Sequence, residues 1–341
     1  MTRTLLHTID DQADEGERAD VVLGRRIPAL SRRVARNLAR EGKLRIDGQR
    51  QPPSARVRVG QTLALTLDDE PEPASPLAEL ELLAITERFV YVNKPAGIHT
   101  VALTPNQPGV LATAVAQRWP ECASASEDPR EGGAVHRLDQ PTSGVVAFAR
   151  SAAAWAEARA AFTAGRVTKH YLAACEDVAG CWPPALPDDG LRGWIEPTSP
   201  LTGFADQLAP LIGEPGPELA SVRIRAAIGR DGPRRSAVRL DGRRASTVVQ
   251  PLAKRGDRRL VRLLLETGCR HQARVHLAWI GLPIIGDTVY GTATGDSAKA
   301  AIHLHAFAID LSAVSVNEVP VFAPPPSSFW PGEASATPPT W

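Results

Sequence analysis

An acidic, proline-rich stretch at residues 68–76 (DDEPEPASP) divides the chain into two parts. Its carboxylates repel one another and its prolines lack backbone donors, so the stretch favours an extended linker over a helix or a strand. We therefore predict two folded domains. In chain order, the predicted division is a loose arm at 1–17, a small domain at 18–67, a linker at 68–79, a large domain at 80–318 and a draped or disordered tail at 319–341.

Charge is distributed unevenly in a chain whose net charge is only +1. Residues 24–60 hold eleven Lys or Arg against two Asp or Glu, and residues 230–262 hold eleven against three. Residues 61–87 hold seven acids and no base. Each basic segment indicates either a polyanionic partner or an arginine-rich surface that meets only solvent, and neither interpretation is favoured by one segment alone.

Cysteine usage and hydropathy predict the compartment. The four cysteines form no C-x-x-C pair, and in a chain of 341 residues they favour free thiols in a reducing environment. Residues 1–12 lack the apolar stretch of a secretion signal, and no apolar run is long enough to span a bilayer. We therefore expect a soluble, cytoplasmic protein without a membrane partner.

The small predicted domain contains a helix with two chemically different sides. The helix is predicted to be capped by Ser31 and to end at Gly42, and the hairpin signal Asp47-Gly48 follows. The apolar side consists of Val34, Ala35 and Leu38, and the basic side consists of Arg32, Arg33, Arg36 and Arg40.

Residues 18–67 resemble the small RNA-binding domain named after the fourth protein of the small ribosomal subunit. The resemblance rests on the basic helix, on the turn Glu41-Gly42-Lys43 and on the Asp47-Gly48 hairpin. It implies that the arginine side of the helix binds RNA. The alternative is an arginine-rich side that merely faces water, and the clean separation of the two sides favours RNA binding.

The large predicted domain mixes many strands with few helices. Because strands and helices do not alternate one to one, the pattern predicts an α+β fold and not a doubly wound one. The predicted strands are 82–85, 89–92, 145–149, 169–175, 221–226, 246–252, 259–266 and 302–309, and the predicted helices are 111–119, 151–164 and 271–280. Residues 179–217 are rich in Pro and Gly and are predicted to be a long surface excursion.

Residues 136–144 (HRLDQPTSG) place Asp139 in a loop that leads into an apolar strand. Loops at strand ends are where rigid scaffolds display catalytic groups. Asp139 could equally be a capping residue of a structural turn, and the local pattern by itself favours that interpretation.

Five stretches in the same order resemble the RluA-type pseudouridine synthases, which modify ribosomal and transfer RNA. They are 92–97 (VNKPAG), 136–149 (HRLDQPTSGVVAFA), 169–173 (KHYLA), 267–277 (TGCRHQARVHL) and 286–291 (GDTVYG). The resemblance covers residues 80–311 and implies an RNA isomerase whose catalytic domain has a mixed, largely antiparallel sheet. Members of the family often carry the same small RNA-binding domain at the N-terminus.

The resemblance also implies roles for individual residues. Asp139 matches the catalytic aspartate, Tyr171 the residue that stacks on the target base and helps to remove the proton from its carbon 5, and Arg274 the residue that pairs with the aspartate. Arg137 matches the arginine that holds the flipped nucleotide. The other predicted contacts to RNA in these motifs are His136, Thr142, Arg270, His271 and Gln272.

This chemistry needs few groups and no cofactor. The target uracil must leave the RNA stack, and an ionised carboxylate can then attack the anomeric carbon or remove the sugar 2′ proton. A neighbouring guanidinium favours the ionised form, and an aromatic face supports the freed base. His271 and Arg274, three residues apart, are predicted to share a helix face that looks towards Asp139. The sequence does not distinguish between the two intermediates that these routes would form, an acylal and a glycal.

The chain departs from the family pattern in two of these motifs. Cys269 stands where the family usually has Arg, and Ala273 where it has a larger aliphatic residue; Arg270 could supply the missing charge. The loop after Gly97 also differs, with His99 arriving early. Cys269 is the only support for an alternative function, an RNA-binding or RNA-folding factor whose isomerase activity is weak or lost, and the intact set of Asp139, Tyr171 and Arg274 argues against it.

Other kinds of site are less well supported. His271 and His276 are five residues apart, which is poor spacing for two metal ligands on one helix, so we expect no metal. No base is specified near Cys269 for a nucleophilic thiol, and no second carboxylate is specified for a glycosidase. Trp155 is expected to be a core aromatic. We predict a monomer that acts on RNA without a cofactor.

Overall fold

The computed structural model describes residues 2–27, 32–68, 80–103, 107–185, 193–212, 220–233, 235–291 and 301–330. The chain divides into two compact units, Met1–Ser75 and Pro76–Trp341. The predicted linker from residue 69 onward and Ser31, the predicted helix cap, lie outside the described residues.

Unit 1 combines two helices with a four-stranded antiparallel sheet whose strand order is β1-β4-β2-β3. Its elements are β1 (Thr2–Thr8), α1 (Ala19–Arg26), α2 (Arg32–Arg40), β2 (Leu44–Ile46), β3 (Gln49–Arg50) and β4 (Thr62–Asp68). The predicted turn is confirmed, since Asp47 and Gly48 both have positive φ between paired strands β2 and β3.

The predicted loose arm at 1–17 is wrong, because β1 pairs with β4 along its whole length. Two of the acids that suggested a solvated arm, Asp11 and Asp14, are instead held by arginines of α1. Asp14 is buried and pairs with Arg25 and Arg26, the latter at 2.8 Å between Nε and Oδ2. Ion pairing with a later helix cannot be read from the composition of the arm.

Helix α2 has the two sides that the sequence predicted, as far as its side chains are described. Ala35 is buried in the core of unit 1 and Leu38 packs against that core. Arg40 is exposed, whereas Arg36 Nε donates to the fully buried Asp20 at 2.8 Å. The side chains of Arg32 and Arg33 lie outside the described part of the chain.

Unit 2 contains a ten-stranded mixed sheet and a separate hairpin. Its strands are β5 (Leu82–Ile85), β6 (Phe89–Lys94), β7 (Ser143–Ala149), β8 (Thr168–Glu176), β9 (Trp194–Thr198), β10 (Ser221–Arg225), β11 (Ile228–Asp231), β12 (Arg235–Val238), β13 (Ser246–Arg255), β14 (Arg258–Leu265), β15 (Leu304–Asp310) and β16 (Val321–Phe322). The sheet order is β5-β6-β7-β15-β8-β14-β13-β10-β9, with β16 beside β15, and β11 pairs with β12. The pairs in this order are antiparallel except β7 with β15, which confirms the predicted α+β class.

Helices in the described part of unit 2 pack against its sheet through three apolar clusters. The helices are α3 (Leu111–Arg118), α4 (Pro120–Ala123), α5 (Ala152–Thr163), α6 (Ala205–Ile212) and α7 (Gln272–Trp279). Of the two larger clusters, one joins α3 and α5 to β6 and β7, and the other joins α7 to β10, β13 and β14. Tyr171 on β8 packs against both clusters, so it lies at the junction between them. Ser151 caps α5 by accepting from Ala154 N–H at 3.2 Å.

The excursion at 179–217 contains regular structure that the sequence did not predict. Strand β9 forms the edge of the sheet beside β10, and α6 buries Leu208. Arg262 of β14 is buried and donates to the carbonyls of Leu201, Thr202 and Gly203 at 2.9–3.2 Å. These hydrogen bonds from a side chain to the backbone hold the segment. They leave no periodic apolar pattern in the sequence from which its structure could be predicted. Residues 186–192 and 213–219 lie outside the described ranges.

The predicted tail at 319–341 is packed in its first part. Strand β16 pairs with β15, and Phe329 and Trp330 are buried in a cluster with Phe307. Residues 331–341 are not among those described. All four cysteines are free thiols. Within the described ranges, every helix is too short or too polar to cross a membrane.

At Gly144, the second residue of β7, the backbone of the neighbouring strand β15 lies too close for a side chain to fit. The φ of Gly144 is +117°, and a Cβ atom there would lie 2.2 Å from Ala306 O in the neighbouring parallel strand. Gly144→Ala is therefore expected to lower the free energy of unfolding by about 3 kcal/mol or more, since neither the backbone nor the neighbour can yield. All seven tryptophans lie in unit 2, so their fluorescence during urea unfolding reports on this unit.

Gly256→Ala provides the control for this substitution. Gly256 also has positive φ, at +56°, but a Cβ atom there would meet nothing within 4 Å. Its expected cost is about 1–2 kcal/mol, the backbone contribution alone. Equal losses in the two variants would show that the contact with Ala306 does not constrain the strand pairing.

Candidate active site

A cleft of about 280 Å³ in unit 2 gathers the sequence motifs that are far apart in the chain. Its walls come from the loop before β7, from β8 and from the segment that leads into α7. The lining residues with chemical groups are His136, Arg137, Asp139, Thr142, Lys169, Tyr171, Thr267, Cys269, Arg270, His271, Gln272 and Arg274. The nine residues predicted in unit 2 therefore line one cleft, whereas the four arginines predicted on α2 belong to unit 1.

The loop that carries Asp139 is held by the last residue of β6 and by the segment that follows this strand. Thr100 Oγ1 donates to Leu138 O at 3.0 Å and accepts from Leu138 N–H at 3.1 Å. Lys94 Nζ, which is fully buried, donates to Gln140 O at 3.1 Å and to two carbonyls of its own segment. Burial lowers the pKa of Lys94 to about 7, and the charge of Asp139 opposes that shift. These contacts fix the backbone on both sides of Asp139.

Asp139 presents a partly exposed carboxylate to the cleft, with 32% of its side chain accessible. Two groups of the α7 segment approach it. Arg274 Nη1 lies 3.7 Å from Oδ2, and His271 Nε2 lies 3.9 Å from the same oxygen. The two residues that were predicted to share a face thus both reach the carboxylate, although at distances longer than direct hydrogen bonds.

The main partner of Arg274 is a residue that the sequence did not single out. Arg274 Nε and Nη2 donate to Asp287 Oδ2 and Oδ1, both at 2.7 Å, in a bidentate pair. Asp287 is buried and also accepts from the backbone N–H groups of Val289 and Tyr290. Arg274 also forms the predicted ion pair with Asp139, at 3.7 Å between Nη1 and Oδ2, while Asp287 holds the guanidinium through the shorter contacts.

The charges of this pair stabilise each other despite burial. Burial would raise the pKa of Asp287, but the hydrogen bond and charge of Arg274 lower it below its ordinary value. Burial would also lower the pKa of Arg274, but the hydrogen bond to Asp287, with the charges of Asp287 and Asp139, raises it. Arg274 is therefore a permanent cation beside the cleft.

His271 occupies an unusual backbone conformation at the start of α7. Its φ is +59°, in the left-handed region, which turns the ring away from the helix axis. Its Nδ1 lies 2.8 Å from Tyr290 Oη, and the two rings meet edge to face. Burial lowers the pKa of His271, while the charge of Asp139 acts in the opposite direction. Tyr290 is a second residue that sequence reasoning missed, although its motif was noticed.

Tyr171 extends from β8 into the cleft. Burial, together with the nearby charge of Asp139, raises the pKa of its hydroxyl above the ordinary value of 10. The phenol is thus protonated at neutral pH, and its ring forms an apolar wall opposite the polar groups of the α7 segment. This arrangement suits an aromatic platform that can also donate a hydrogen bond.

His136 and Gln272 line the cleft and are held by hydrogen bonds within the protein, and their predicted contacts with RNA stay predictions. His136 Nε2 accepts from Ala147 N–H at 3.1 Å, and its ring stacks on Phe162. Burial, with the charges of Lys169 and Arg159, lowers the pKa of His136 to about 3. Each half of the Gln272 amide makes two hydrogen bonds to Thr267, Cys269, Ser246 and Thr247. The Gln272 amide is thereby fully used within the protein, whereas the neutral His136 ring keeps its proton on Nδ1.

Thr142 offers a group that the protein does not use. Its side chain is buried, lines the cleft and has no hydrogen-bond partner for Oγ1 among the described residues. Its backbone N–H donates to Asp139 O at 3.1 Å and closes the loop. An unpartnered hydroxyl in a cleft is costly unless water or a ligand meets it.

Exposed arginines surround the mouth of the cleft. Arg137 and Arg270 line it, and Arg270 Nη1 donates to Pro233 O at 3.2 Å in the turn between β11 and β12. This hairpin and the residues after it carry further exposed arginines, namely Arg230, Arg235, Arg239, Arg243 and Arg244. Cys269 is partly buried among them, and burial raises the pKa of its thiol. No cluster of three or more potential metal ligands was found in the part of the chain that the structure describes.

Comparison with known proteins identifies the two units. Residues 88–279, more than half of the chain, match the RNA pseudouridylate synthase family, and residues 17–63 match the S4 domain. A relative from Chloroflexus aurantiacus, named as an uncharacterized RNA pseudouridine synthase, is 34% identical over 81% of this chain and 75% of its own length. Ribosomal large subunit pseudouridine synthase D of Xanthomonas campestris is 31% identical over 82% of this chain and 72% of its own length.

A solved structure shares the fold. Human RNA pseudouridylate synthase domain containing 1 aligns with a TM-score of 0.51 at 22% identity, covering 74% of this chain and 87% of its own. At that identity the likeness concerns the arrangement of strands and helices alone. It agrees with the α+β architecture of unit 2.

Burial of a neutral His136 predicts how stability depends on pH. Its pKa of about 3 in the folded protein lies below the ordinary 6.5, so between these values the unfolded chain binds a proton that the folded protein refuses. Its contribution is complete above about pH 6.5 and is lost as the pH falls below it. Between pH 7 and pH 5 the loss is expected to be about 2 kcal/mol.

Comparison with His136→Gln isolates that contribution. Glutamine keeps an oxygen for the Ala147 N–H but does not titrate, so the variant should lose about 2 kcal/mol less than the wild type over the same pH interval. Urea unfolding followed by tryptophan fluorescence at pH 7 and pH 5 measures the difference. Parallel pH dependences would show that His136 is not held neutral.

Proposed function

This chain belongs to the RNA pseudouridylate synthase family and is an isomerase that acts on RNA, and we propose that it converts uridine to pseudouridine in large-subunit ribosomal RNA with Asp139 as the reacting carboxylate. The observation that carries the proposal is the placement of Asp139. Its carboxylate faces a cleft beside a buried arginine that is already held by another acid. Such a carboxylate is oriented by a neighbouring cation without being held in a tight salt bridge.

The cleft suits a nucleotide that has left the RNA stack. The ring of Tyr171, whose hydroxyl is protonated, supplies a platform for the freed base. Stacking on such a ring contributes about 1–3 kcal/mol. The hydroxyl of Thr142 has no partner among the described residues and is available to the base or the ribose. Arg137, exposed at the edge, is placed to hold the displaced backbone.

The isomerisation breaks the bond from the anomeric carbon to N1 and forms a bond from that carbon to C5. Asp139 can bond to the anomeric carbon as N1 departs, or it can take the 2′ proton and return it later. In either route the uracil turns within the cleft and C5 bonds to the anomeric carbon, which releases Asp139 from that carbon if it had bonded there. The proton on C5 is then lost and N1 takes up a proton, so the product is an isomer of the substrate. No atom is gained or lost, so the reaction requires no cofactor.

The substrate class rests on two properties of the chain. Relatives that match most of its length are named for the large ribosomal subunit. The basic rim formed by Arg270 and the β11–β12 hairpin offers cations to phosphates on either side of the target nucleotide. We further propose that Arg40, with Arg32 and Arg33, extends RNA binding on unit 1, whereas Arg36 mainly neutralises the buried Asp20. The proposed active species is a monomer, since one chain supplies the residues that line the cleft. Its proposed location is the cytoplasm.

Asp139→Asn tests the assignment of the carboxylate. The variant keeps the size of the side chain but cannot act as a nucleophile or a base, so product should fall below about 1% of the wild-type rate. Large-subunit ribosomal RNA from cells that lack this gene is the substrate, and pseudouridine is mapped by chemical adduct. Asp128→Asn, which changes an exposed carboxylate paired with Arg130, is the control and should retain wild-type activity.

The outcomes separate the parts of the proposal. Equal product from wild type and Asp139→Asn would contradict the role of Asp139. Product in transfer RNA but not in large-subunit ribosomal RNA would leave that role intact and contradict the substrate. No product from the wild type on any cellular RNA would contradict both.

A further inference from the structure

We propose that Tyr290 is a positioning residue that fixes the tautomer of His271, so that His271 points its Nε2–H at Asp139 Oδ2 and leaves Oδ1 as the reacting oxygen. The inference rests on the proposed function, in which Asp139 is the reacting carboxylate. It follows from the directions of the hydrogen bonds between the side chains of Tyr290, His271 and Asp139. Its consequence is a distinct role for each oxygen of Asp139.

The direction of the hydrogen bond between Tyr290 and His271 follows from the other contacts of the Tyr290 hydroxyl and of the His271 ring. Ser236 N–H lies 2.8 Å from Tyr290 Oη and can only donate, so the hydroxyl accepts there. His271 Nδ1 lies 2.8 Å from the same oxygen, and the Ser236 side chain also hydrogen-bonds to Tyr290. The other ring nitrogen, Nε2, faces a carboxylate oxygen, which accepts and does not donate, so we assign the ring proton to Nε2 and the hydroxyl hydrogen to Nδ1. Tyr290 therefore donates to Nδ1, and Nδ1 carries no proton.

A His271 ring without a proton on Nδ1 must carry it on Nε2. Burial disfavours a charged ring, so the neutral form with Nε2–H is the one that this contact selects. Nε2 is also the ring atom that approaches Asp139, at 3.9 Å from Oδ2. The selected tautomer thus offers a donor, and not a lone pair, to the carboxylate. The opposite tautomer would place two acceptors face to face.

Tyr290 is itself held rigidly enough to make this selection. Arg274 lies over its ring with the guanidinium carbon 5.0 Å from the ring centre, and Arg235 of β12 lies at 5.6 Å. Its backbone N–H donates to Asp287, the acid that holds Arg274. The tyrosine therefore shares its anchors with the arginine, and both are fixed relative to Asp139.

Both donors make their closest approach to the same carboxylate oxygen. Arg274 Nη1 and His271 Nε2 lie nearest to Oδ2, and in the free protein both distances exceed a direct hydrogen bond. Catalytic hydrogen bonds often tighten only when substrate is bound. Two donors on Oδ2 would orient the carboxylate and leave Oδ1 to meet the anomeric carbon or the 2′ proton.

Tyr290→Phe tests the inference with two readouts. The variant keeps the ring that packs against Arg274 but loses the hydroxyl, so kcat should fall about tenfold while KM for RNA changes less than about twofold. The ¹⁵N spectrum of histidine-labelled protein reports the tautomer directly. Wild type should show His271 protonated on Nε2 alone, and Tyr290→Phe should show a mixture of both tautomers.

Two substitutions of His271 complete a double-mutant cycle. His271→Gln keeps a donor near the position of Nε2 without needing Tyr290, whereas His271→Asn tolerates the left-handed backbone but is too short to reach Asp139. Adding Tyr290→Phe to His271→Gln should therefore lower kcat by less than about threefold. His271→Asn should lose more activity than His271→Gln.

The results distinguish this inference from the proposed function. Protonation of His271 on Nδ1 in the wild type would overturn it, even if every variant failed to fold. So would a Tyr290→Phe protein with unchanged tautomer, or with unchanged kcat. If Asp139→Asn were fully active, the proposed function would fail first, and the tautomer measured in the wild type would still stand as a property of the fold.

Discussion

The bidentate pair between Arg274 and Asp287 is the interaction on which the geometry of the cleft depends. Both side chains are buried, and opposite charges in such a place stabilise each other only when their hydrogen bonds are well formed. Losing one partner typically costs about 3–5 kcal/mol, because the other charge is left uncompensated. The pair joins α7 to the turn after it, and it leaves one edge of the guanidinium for Asp139. A cation beside the carboxylate is thereby supplied without neutralising it.

The other motifs place a carboxylate and an aromatic ring in front of that cation. Lys94 and Thr100 hold the backbone of the Asp139 loop, and Gly144 allows the strand after the loop to lie against β15. Tyr171 lies at the junction of the two apolar clusters that support the sheet. The residues of each motif therefore help to position the groups that line the cleft. Together the motifs line one cleft with a carboxylate, an aromatic ring and a rim of arginines, which is the arrangement that supports the proposed function.

The sequence predicted the α+β class and the elements around the motifs from local patterns. The residues that line the cleft were predicted from the resemblance of five ordered motifs to a family, since the local pattern at Asp139 alone favoured a capping turn. The sequence did not predict which side chains from other segments hold these residues in place. Asp287 and Tyr290 lie in a motif that was recognised, but nothing in its spacing connects them to Arg274 or His271. The neutral state of His136 depends on burial, and the strand at 2–8 depends on a partner sixty residues away. Such features arise from tertiary contacts, which leave no periodic signal in one chain.

Arg274→Lys tests most directly whether orientation by the Asp287 pair, and not charge alone, prepares Asp139. Lysine keeps the positive charge but cannot make two parallel hydrogen bonds to Asp287 while reaching towards Asp139. The single-turnover rate of pseudouridine formation should fall by about 100-fold or more, with RNA affinity changed only a few-fold. A variant that forms pseudouridine at nearly the wild-type rate would show that a nearby charge suffices, and it would contradict the orienting role of the Arg274–Asp287 pair.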